Sequence, residues 1–233
     1  MEIVLCHLTR MIAPRICIAG IDPQSALQIR PVTPKGDPIT RRLLRAEGGE
    51  LSLGTLVDFG ELTPQPSPPE TEDHEFKTDA IRDVRDLDGD ELLDLLGQAG
   101  DEDIHSAFGP CLEPVRGGYA LEAGSGERSL AIVTAGEQPS LEVDRYGRLR
   151  VRVPDLEGAP ALSLNDVRFY QRDQKTIEKT ITRDVNKRLK RGVPCTLALG
   201  LARAVELDWD DRERHWLQAN ALILEDRPVG ERP

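Results

Sequence analysis

Short apolar runs, each bounded by proline, glycine or aspartate, recur along the first sixty residues of the chain. Runs of this length that are rich in isoleucine, valine and leucine favour β-strands. The predicted strands are Glu2–Leu8, Arg15–Ile21, Ala26–Val32 and Thr55–Leu62, with a short helix at Thr40–Ala46 between the third and the fourth. The chain is therefore expected to open with a small β-domain.

The pattern changes at Thr63–Pro69, where four of the seven residues are proline. Proline lacks a backbone N–H and cannot continue a central strand, so a linker or an extended excursion is expected here. Apolar positions at helical spacing then predict a short helix at Asp90–Leu96 and a further helical turn at Asp101–Phe108. Ser129–Ala135 again has the composition of a strand.

The rest of the chain repeats the opening plan more clearly. The predicted elements are the strands Leu141–Asp144, Arg148–Val153 and Ala161–Val167, a helix at Thr176–Arg191, and the strands Cys195–Ala204 and His215–Leu224. This order is typical of the OB fold, a five-stranded Greek-key barrel. The first half has the same order if Ser129–Ala135 is its fifth strand.

The predicted fold is thus mostly β with a few helices: two OB-type five-stranded β-barrels, the first one carrying an acidic helical insertion. The expected domains are residues 1–136, with the insertion at about 63–127, residues 137–226 for the second barrel, and a polar tail at 227–233. Arg30 and Arg203 end corresponding strands of the two halves. A structural role is therefore open for both, as partners of carboxylates at a barrel seam.

The net charge of −11 is distributed very unevenly. Residues 61–103 hold 15 acidic side chains against three basic ones, whereas residues 168–191 hold nine basic side chains against three acidic ones. The local distribution of charge matters more than its sum for contact with an anionic partner. One hypothesis is that the acidic segment, residues 61–103, competes with nucleic acid for binding to the basic stretch, residues 168–191.

Composition argues against several classes of protein. The four cysteines form no CxxC pair and none of the four histidines stands at ligand spacing to a cysteine, so no zinc site, other metal site, cofactor or disulfide is expected. No apolar run is long enough for a membrane-spanning helix or a secretory leader, which favours a soluble cytoplasmic protein. No catalytic signature is present. A metal-dependent nuclease remains a third alternative that would need carboxylates gathered around Mg²⁺.

The segment from Arg148 to Val153 alternates strictly between arginine and an apolar residue. Because alternate side chains of a strand point to opposite faces, Arg148, Arg150 and Arg152 are expected to share one face. In an OB barrel this strand belongs to the face that commonly binds oligonucleotides, and the flanking loops would present Tyr146 and Trp209 for stacking. The alternative is an ordinary solvated strand face.

The predicted helix at Thr176–Arg191 has an apolar stripe and an opposing basic side, which is either a solubilising surface or a contact for phosphates or an acidic partner. The candidate nucleic-acid-binding residues are therefore Arg145, Tyr146, Arg148, Arg150, Arg152, Arg168, Tyr170, Lys175, Lys179 and Trp209.

Several segments of the chain are similar to a known family when they are taken in order. They are Ile3–Leu8, Cys17–Asp22, Gln28–Val32, Leu162–Tyr170, Leu199–Arg203 and Arg214–Asn220. Together they resemble the bacterial dual OB-containing domain family. The resemblance implies two OB folds and a nucleic-acid-binding role, and it supplies no catalytic residues.

The sequence therefore favours a non-catalytic accessory protein that binds single-stranded or structured DNA or RNA with weak sequence preference. The alternative is a protein-interaction module that docks onto a helicase, a nuclease or a defence-system effector. The overall acidity and the low aromatic content, 4% of the chain, favour that alternative.

Overall fold

In a computed structural model, the chain folds into two curled sheets with three α-helices among the residues that the structure describes, which are 1–34, 38–77, 81–116, 118–158, 160–208 and 210–229. The predicted fold class, mostly β with two OB-type barrels, is confirmed. None of the helices in these ranges is long and apolar enough to cross a membrane.

The first sheet has seven strands, arranged in the order β5-β6-β3-β2-β1-β4-β7. They are β1 (Glu2–Arg10), β2 (Ile16–Ile21), β3 (Gln28–Val32), β4 (Thr55–Asp58), β5 (Thr63–Pro64), β6 (Asp73–Glu75) and β7 (Arg82–Asp86). All neighbours are antiparallel except β3 and β6, which run parallel.

The second sheet has nine strands, and its main path follows the order β10-β14-β16-β13-β12-β11. The strands are β8 (Glu113–Val115), β9 (Gly118–Glu122), β10 (Leu130–Thr134), β11 (Ser140–Val143), β12 (Leu149–Arg152), β13 (Ala161–Leu164), β14 (Cys195–Leu201), β15 (Val205–Leu207) and β16 (Asp210–Leu224). The long strand β16 also pairs with β9 and β15, and β9 pairs with β8.

Both halves share one arrangement, in which a three-stranded antiparallel meander pairs in parallel with a later strand. In the first half β3 pairs with β6, and in the second half β13 pairs with β16. The predicted fifth strand of the first barrel was therefore wrong. Ser129–Ala135 contains β10, which pairs with β14 in the second sheet, and it is the short strand β6 that pairs in parallel with β3.

The acidic segment at 63–127 is not confirmed as an insertion. It supplies three strands to the first sheet and two to the second, so it is part of both sheets. It also holds the helices α1 (Gly89–Ala99) and α2 (Ile104–Phe108), each of which begins with a capping box at Asp88 or Asp103. Because strands of both sheets come from this segment, the domain boundary near residue 136 remains a prediction.

The third helix, α3 (Lys179–Leu189), begins three residues later than the sequence predicts. Ile177 is bridged to Tyr170 in an extended conformation, and the side chain of Glu178 caps the helix by accepting the Thr180 N–H. Lys175 therefore lies in the loop before the helix.

Two apolar cores lie against each other. The first is built on β1–β4 and α1 and also takes Ile132, Ala198 and Ile223 from strands of the second sheet. The second is built on β9–β14, α2 and β16. The halves are joined through the backbone as well, since the Arg10 N–H donates to the Asn165 carbonyl across 2.7 Å.

Candidate nucleic-acid interface

The hairpin of β11 and β12 is turned by five residues, 144–148, and Asp144 organises the turn. Its Oδ1 accepts the backbone N–H groups of Tyr146 and Arg148, each at 2.9 Å. Gly147 has a φ of 74°, a left-handed conformation that glycine adopts without steric cost. An aspartate whose side chain accepts the backbone donors that follow it is a stable way to fix such a turn.

The side chains at this turn form an exposed cationic and aromatic cluster, which we call the hairpin tip: Arg145, Tyr146 and Arg148. The Tyr146 side chain is 66% exposed. The guanidinium carbons of Arg145 and Arg148 lie 4.8 and 5.6 Å from the centroid of its ring, within the range of cation–π attraction. Neither arginine makes a salt bridge to a carboxylate of the described residues.

The next two arginines of strand β12 are held in ion pairs. The Nε of Arg150 donates to Asp144 across 3.0 Å and its terminal nitrogen donates to the Ser163 hydroxyl across 2.6 Å. Arg152 binds both carboxylate oxygens of Glu142, at 2.8 and 3.0 Å. Their charges are therefore largely neutralised, although Leu149 and Val151 face the core as the alternation predicts.

These contacts stabilise the ionised form of Asp144. Partial desolvation alone would raise its pKa, but the hydrogen bonds from the Arg148 N–H, the Arg150 guanidinium and the Tyr146 N–H lower the pKa below its usual value. The negative charge is thus a permanent part of the turn at neutral pH.

A cleft of about 400 Å³ lies between the β8–β9 hairpin and the strands β11–β13. Its charged lining consists of Glu142, Asp144, Glu157 and Arg150, so carboxylates outnumber the guanidinium. Phosphates are repelled by such a lining. The strand face expected to carry the phosphate contacts is therefore acidic here, and the cationic groups lie at its rim, on the hairpin tip.

Two of the candidate residues, Arg168 and Tyr170, are bonded to buried groups of the protein. Arg168 makes a bidentate pair with the fully buried Asp166 and donates to the Leu222 carbonyl across 2.7 Å. Tyr170 is buried, its hydroxyl donates to the Leu164 carbonyl across 2.7 Å, and the Arg10 guanidinium covers its ring at 4.1 Å. The expectation that Arg168 contacts phosphates and Tyr170 stacks on bases is corrected accordingly.

Two of the three remaining candidates, Lys175 and Lys179, lie near the start of α3. Lys175 and Lys179 are exposed, and Lys179 is followed on the helix by the exposed bases Arg183 and Lys187. Arg188 of the same helix is paired with Asp226 and Asp184 instead. Trp209 lies outside the described residues.

An ionic cluster that is buried except for the Arg203 side chain joins the two halves, where the sequence left a structural role open for Arg30 and Arg203. Both arginines donate to Asp73, and Arg203 also lies 3.0 Å from Glu70. His215 lies 3.6 Å from the same glutamate. The expected pairing of the two arginines with carboxylates is therefore confirmed. The carboxylates themselves, Asp73 and Glu70, belong to the segment that was interpreted from the sequence as an insertion.

The sequence reasoning missed the acidic partners of strand β12. The signal was present, because Glu142 and Asp144 alternate on the preceding strand in the same way as the arginines do. In the hairpin register Glu142 lies opposite Arg150, and Ser140 opposite Arg152. No group of three or more histidine, cysteine, aspartate or glutamate side chains in the described ranges is arranged to hold a metal ion.

Comparison with known proteins gives one result. The family model of the dual OB-containing domain matches residues 1–220 of the chain. No curated protein and no solved structure matches the chain.

Proposed function

Because this chain belongs to the dual OB-containing domain family, we propose that it is a nucleic-acid-binding protein that engages single strands through the hairpin tip. The binding is non-catalytic and has weak sequence preference, since a tyrosine face and two guanidinium groups recognise features that every base and every phosphate share. The tip lies between the first two strands of the second barrel, a loop that OB folds commonly use for oligonucleotides.

The observation that supports this function is the exposure of the Tyr146 ring beside two arginines that lack acidic partners among the described residues. A base stacked on an aromatic side chain contributes about 1–3 kcal/mol to binding of a single strand. The turn is fixed by Asp144 and Gly147, so little conformational freedom of the backbone is lost when a strand binds.

The exposed bases of α3 offer a second cationic surface in this proposal. Lys179, Arg183 and Lys187 attract the phosphate backbone, while Arg150 and Arg152 hold the hairpin through their ion pairs. A local positive surface is required because the whole chain carries a charge of −11 and repels polyanions at long range.

Fluorescence anisotropy with labelled single-stranded DNA and RNA of about 20 nucleotides tests this function. Arg148→Glu is expected to weaken binding about tenfold at low salt, because it replaces a phosphate contact by a repulsive charge. Lys77→Glu is the matched control, since it makes the same change of charge at an exposed residue that follows β6. Equal affinity of the wild type and Arg148→Glu, or equal losses in both variants, would contradict the proposal.

A further inference from the structure

The turn between β1 and β2 presents two large apolar side chains to solvent. Ile12 is 87% exposed and Met11 is 47% exposed, and both are followed by the tight bend that leads to Arg15. Isolated exposed apolar residues are ordinary on protein surfaces. This pair differs because its backbone is fixed from both halves of the molecule.

Gln174, from the loop before α3, holds the turn in place. Its side-chain oxygen accepts the Met11 N–H and its amide nitrogen donates to the Arg15 carbonyl, both at 3.1 Å. Its own carbonyl accepts a hydrogen bond from the Arg10 guanidinium at 3.0 Å. Gln174 is buried and has a φ of 56°, an uncommon backbone conformation for a residue other than glycine.

The first half contributes a second support. The Arg41 N–H donates to the Pro14 carbonyl across 3.0 Å, and its guanidinium donates to the Gln171 carbonyl across 3.4 Å. The two exposed apolar side chains are therefore carried by a rigid turn. A surface that is ordered before binding loses less entropy when a partner docks.

Basic side chains stand on the turn itself and on the loop that holds it. We call the set Met11, Ile12, Arg15, Arg172 and Lys175 the junction patch, because it spans both halves of the chain. All five side chains are exposed. Two carboxylates are close to them and both are engaged: Glu47 is shared by Arg41 and Arg172, and Asp173 accepts the backbone N–H groups of Lys175 and Thr176.

We propose that the junction patch is a docking surface for an acidic segment of a partner protein, one in which large apolar side chains stand between carboxylates. Charge complementarity identifies this occupant. The cations Arg15, Arg41, Arg172 and Lys175 outnumber the carboxylates Glu47 and Asp173, so the surface around the apolar pair keeps a net positive charge on a chain that is acidic overall. The apolar pair at the centre and the charged groups around it follow the usual plan of a protein interface, an apolar core within a polar rim.

Nucleic acid fits this patch less well than it fits the hairpin tip. The exposed side chains at the centre are aliphatic and offer no π face to a base, and Tyr170, which lies beneath Arg10, is buried. The junction patch and the hairpin tip involve different residues. The inference about the junction patch does not depend on the proposed nucleic-acid function.

The test uses the full chain and a fluorescein-labelled peptide in which pairs of glutamate alternate with leucine or phenylalanine. Ile12→Ser and Arg15→Glu are each expected to weaken peptide binding about tenfold, the first by removing buried apolar area and the second by reversing a rim charge. Leu27→Ser and Lys77→Glu are the matched controls, since Leu27 is 63% exposed elsewhere on the first half and Lys77 is exposed beyond the patch. A peptide with serine in place of its leucine or phenylalanine residues is expected to bind the wild-type chain about tenfold more weakly, as the patch variants bind the original peptide.

Three results would overturn the proposal. The first is a peptide affinity that is equal in the patch variants and the controls. The second is an absence of peptide binding while vesicles of phosphatidylcholine with phosphatidylserine bind and lose affinity in Ile12→Ser, since the patch would then contact membranes. The third is a loss of oligonucleotide affinity in Ile12→Ser with no binding of the peptide, since the patch would then belong to the nucleic-acid surface.

Discussion

Arg150 donates a hydrogen bond from Nε to the Oδ2 of Asp144 across 3.0 Å, while the other oxygen of that carboxylate accepts the backbone N–H groups of Tyr146 and Arg148. A strand arginine that the sequence assigns to phosphate binding thus helps to hold the turn that exposes Tyr146. The roles of the basic residues are divided: Arg150 positions the hairpin tip, and Arg145 and Arg148 remain accessible.

The first prediction concerns Asp144. Asp144→Ala is expected to weaken oligonucleotide binding several-fold, although it removes a negative charge, because two backbone N–H groups and the Arg150 guanidinium lose their acceptor and the turn loosens. Asp144→Asn keeps an acceptor oxygen for the two backbone N–H groups but not for Arg150, and it is expected to bind more tightly than Asp144→Ala. Anisotropy with labelled oligonucleotides measures both affinities, and tighter binding by Asp144→Ala would show that Asp144 contributes only its charge.

The second prediction concerns the ionic cluster between the halves. Asp73→Ala is expected to lower the free energy of unfolding by about 3–5 kcal/mol, because the buried Arg30 is left without its main partner. Asp184→Ala removes an exposed partner of Arg188 and is expected to cost less than about 1 kcal/mol. Urea unfolding of the two variants supplies the comparison. Equal stabilities would mean that the cluster contributes nothing beyond an ordinary surface pair.

The second barrel was largely predictable from local pattern. The strands β11–β14 and the second half of β16 are apolar or alternating, and those signals depend only on neighbouring residues. The first barrel was less predictable from local pattern, because β6 is a three-residue strand of charged and polar residues, Asp73–Glu75. Asp73 is buried only because it is paired with Arg30 and with Arg203, which lies 130 positions further along the chain. No local pattern contains that information.

The candidate site was predictable to a similar degree. Alternation correctly placed Arg150 and Arg152 on the face opposite Leu149 and Val151. Their ion pairs depend on the register of the hairpin, which brings carboxylates from β11 beside them. Tyr170 is buried in the second core and its ring is covered by a side chain of the other half, Arg10, so its burial could not be inferred from the segment that contains the tyrosine.

The third prediction concerns pH. His7 is buried, and desolvation lowers its pKa from 6.5 to about 3. The unfolded chain therefore binds one more proton than the folded chain between these values, so stability is complete above about pH 6.5 and falls as the pH falls through this window, by up to about 1.4 kcal/mol per pH unit. His7→Gln removes this titration. Its stability is expected to change less steeply than that of the wild type between about pH 6.5 and pH 5, and parallel slopes would contradict the assignment.

The fourth prediction concerns salt. Each phosphate contact with a single strand contributes about −0.7 to the slope of log K against log salt concentration. Arg145→Ala/Arg148→Ala is therefore expected to reduce the magnitude of the slope by about 1.4, whereas Arg152→Ala is expected to leave it nearly unchanged because Glu142 already occupies that guanidinium. A salt series measured by anisotropy gives the slopes. The reverse ranking of the variants would assign the phosphate contacts to the strand face.

The most direct test of the account is the oligonucleotide affinity of Tyr146→Ala. The loss of a stacked base is expected to weaken binding by about 5- to 150-fold, while Tyr146→Phe, which keeps the ring, binds nearly as the wild type does. Tyr170→Phe serves as the internal control, since it removes only a buried hydroxyl that is bonded to the Leu164 carbonyl. Unchanged affinity of Tyr146→Ala under conditions in which the wild type binds would contradict the assignment of the hairpin tip as the nucleic-acid interface.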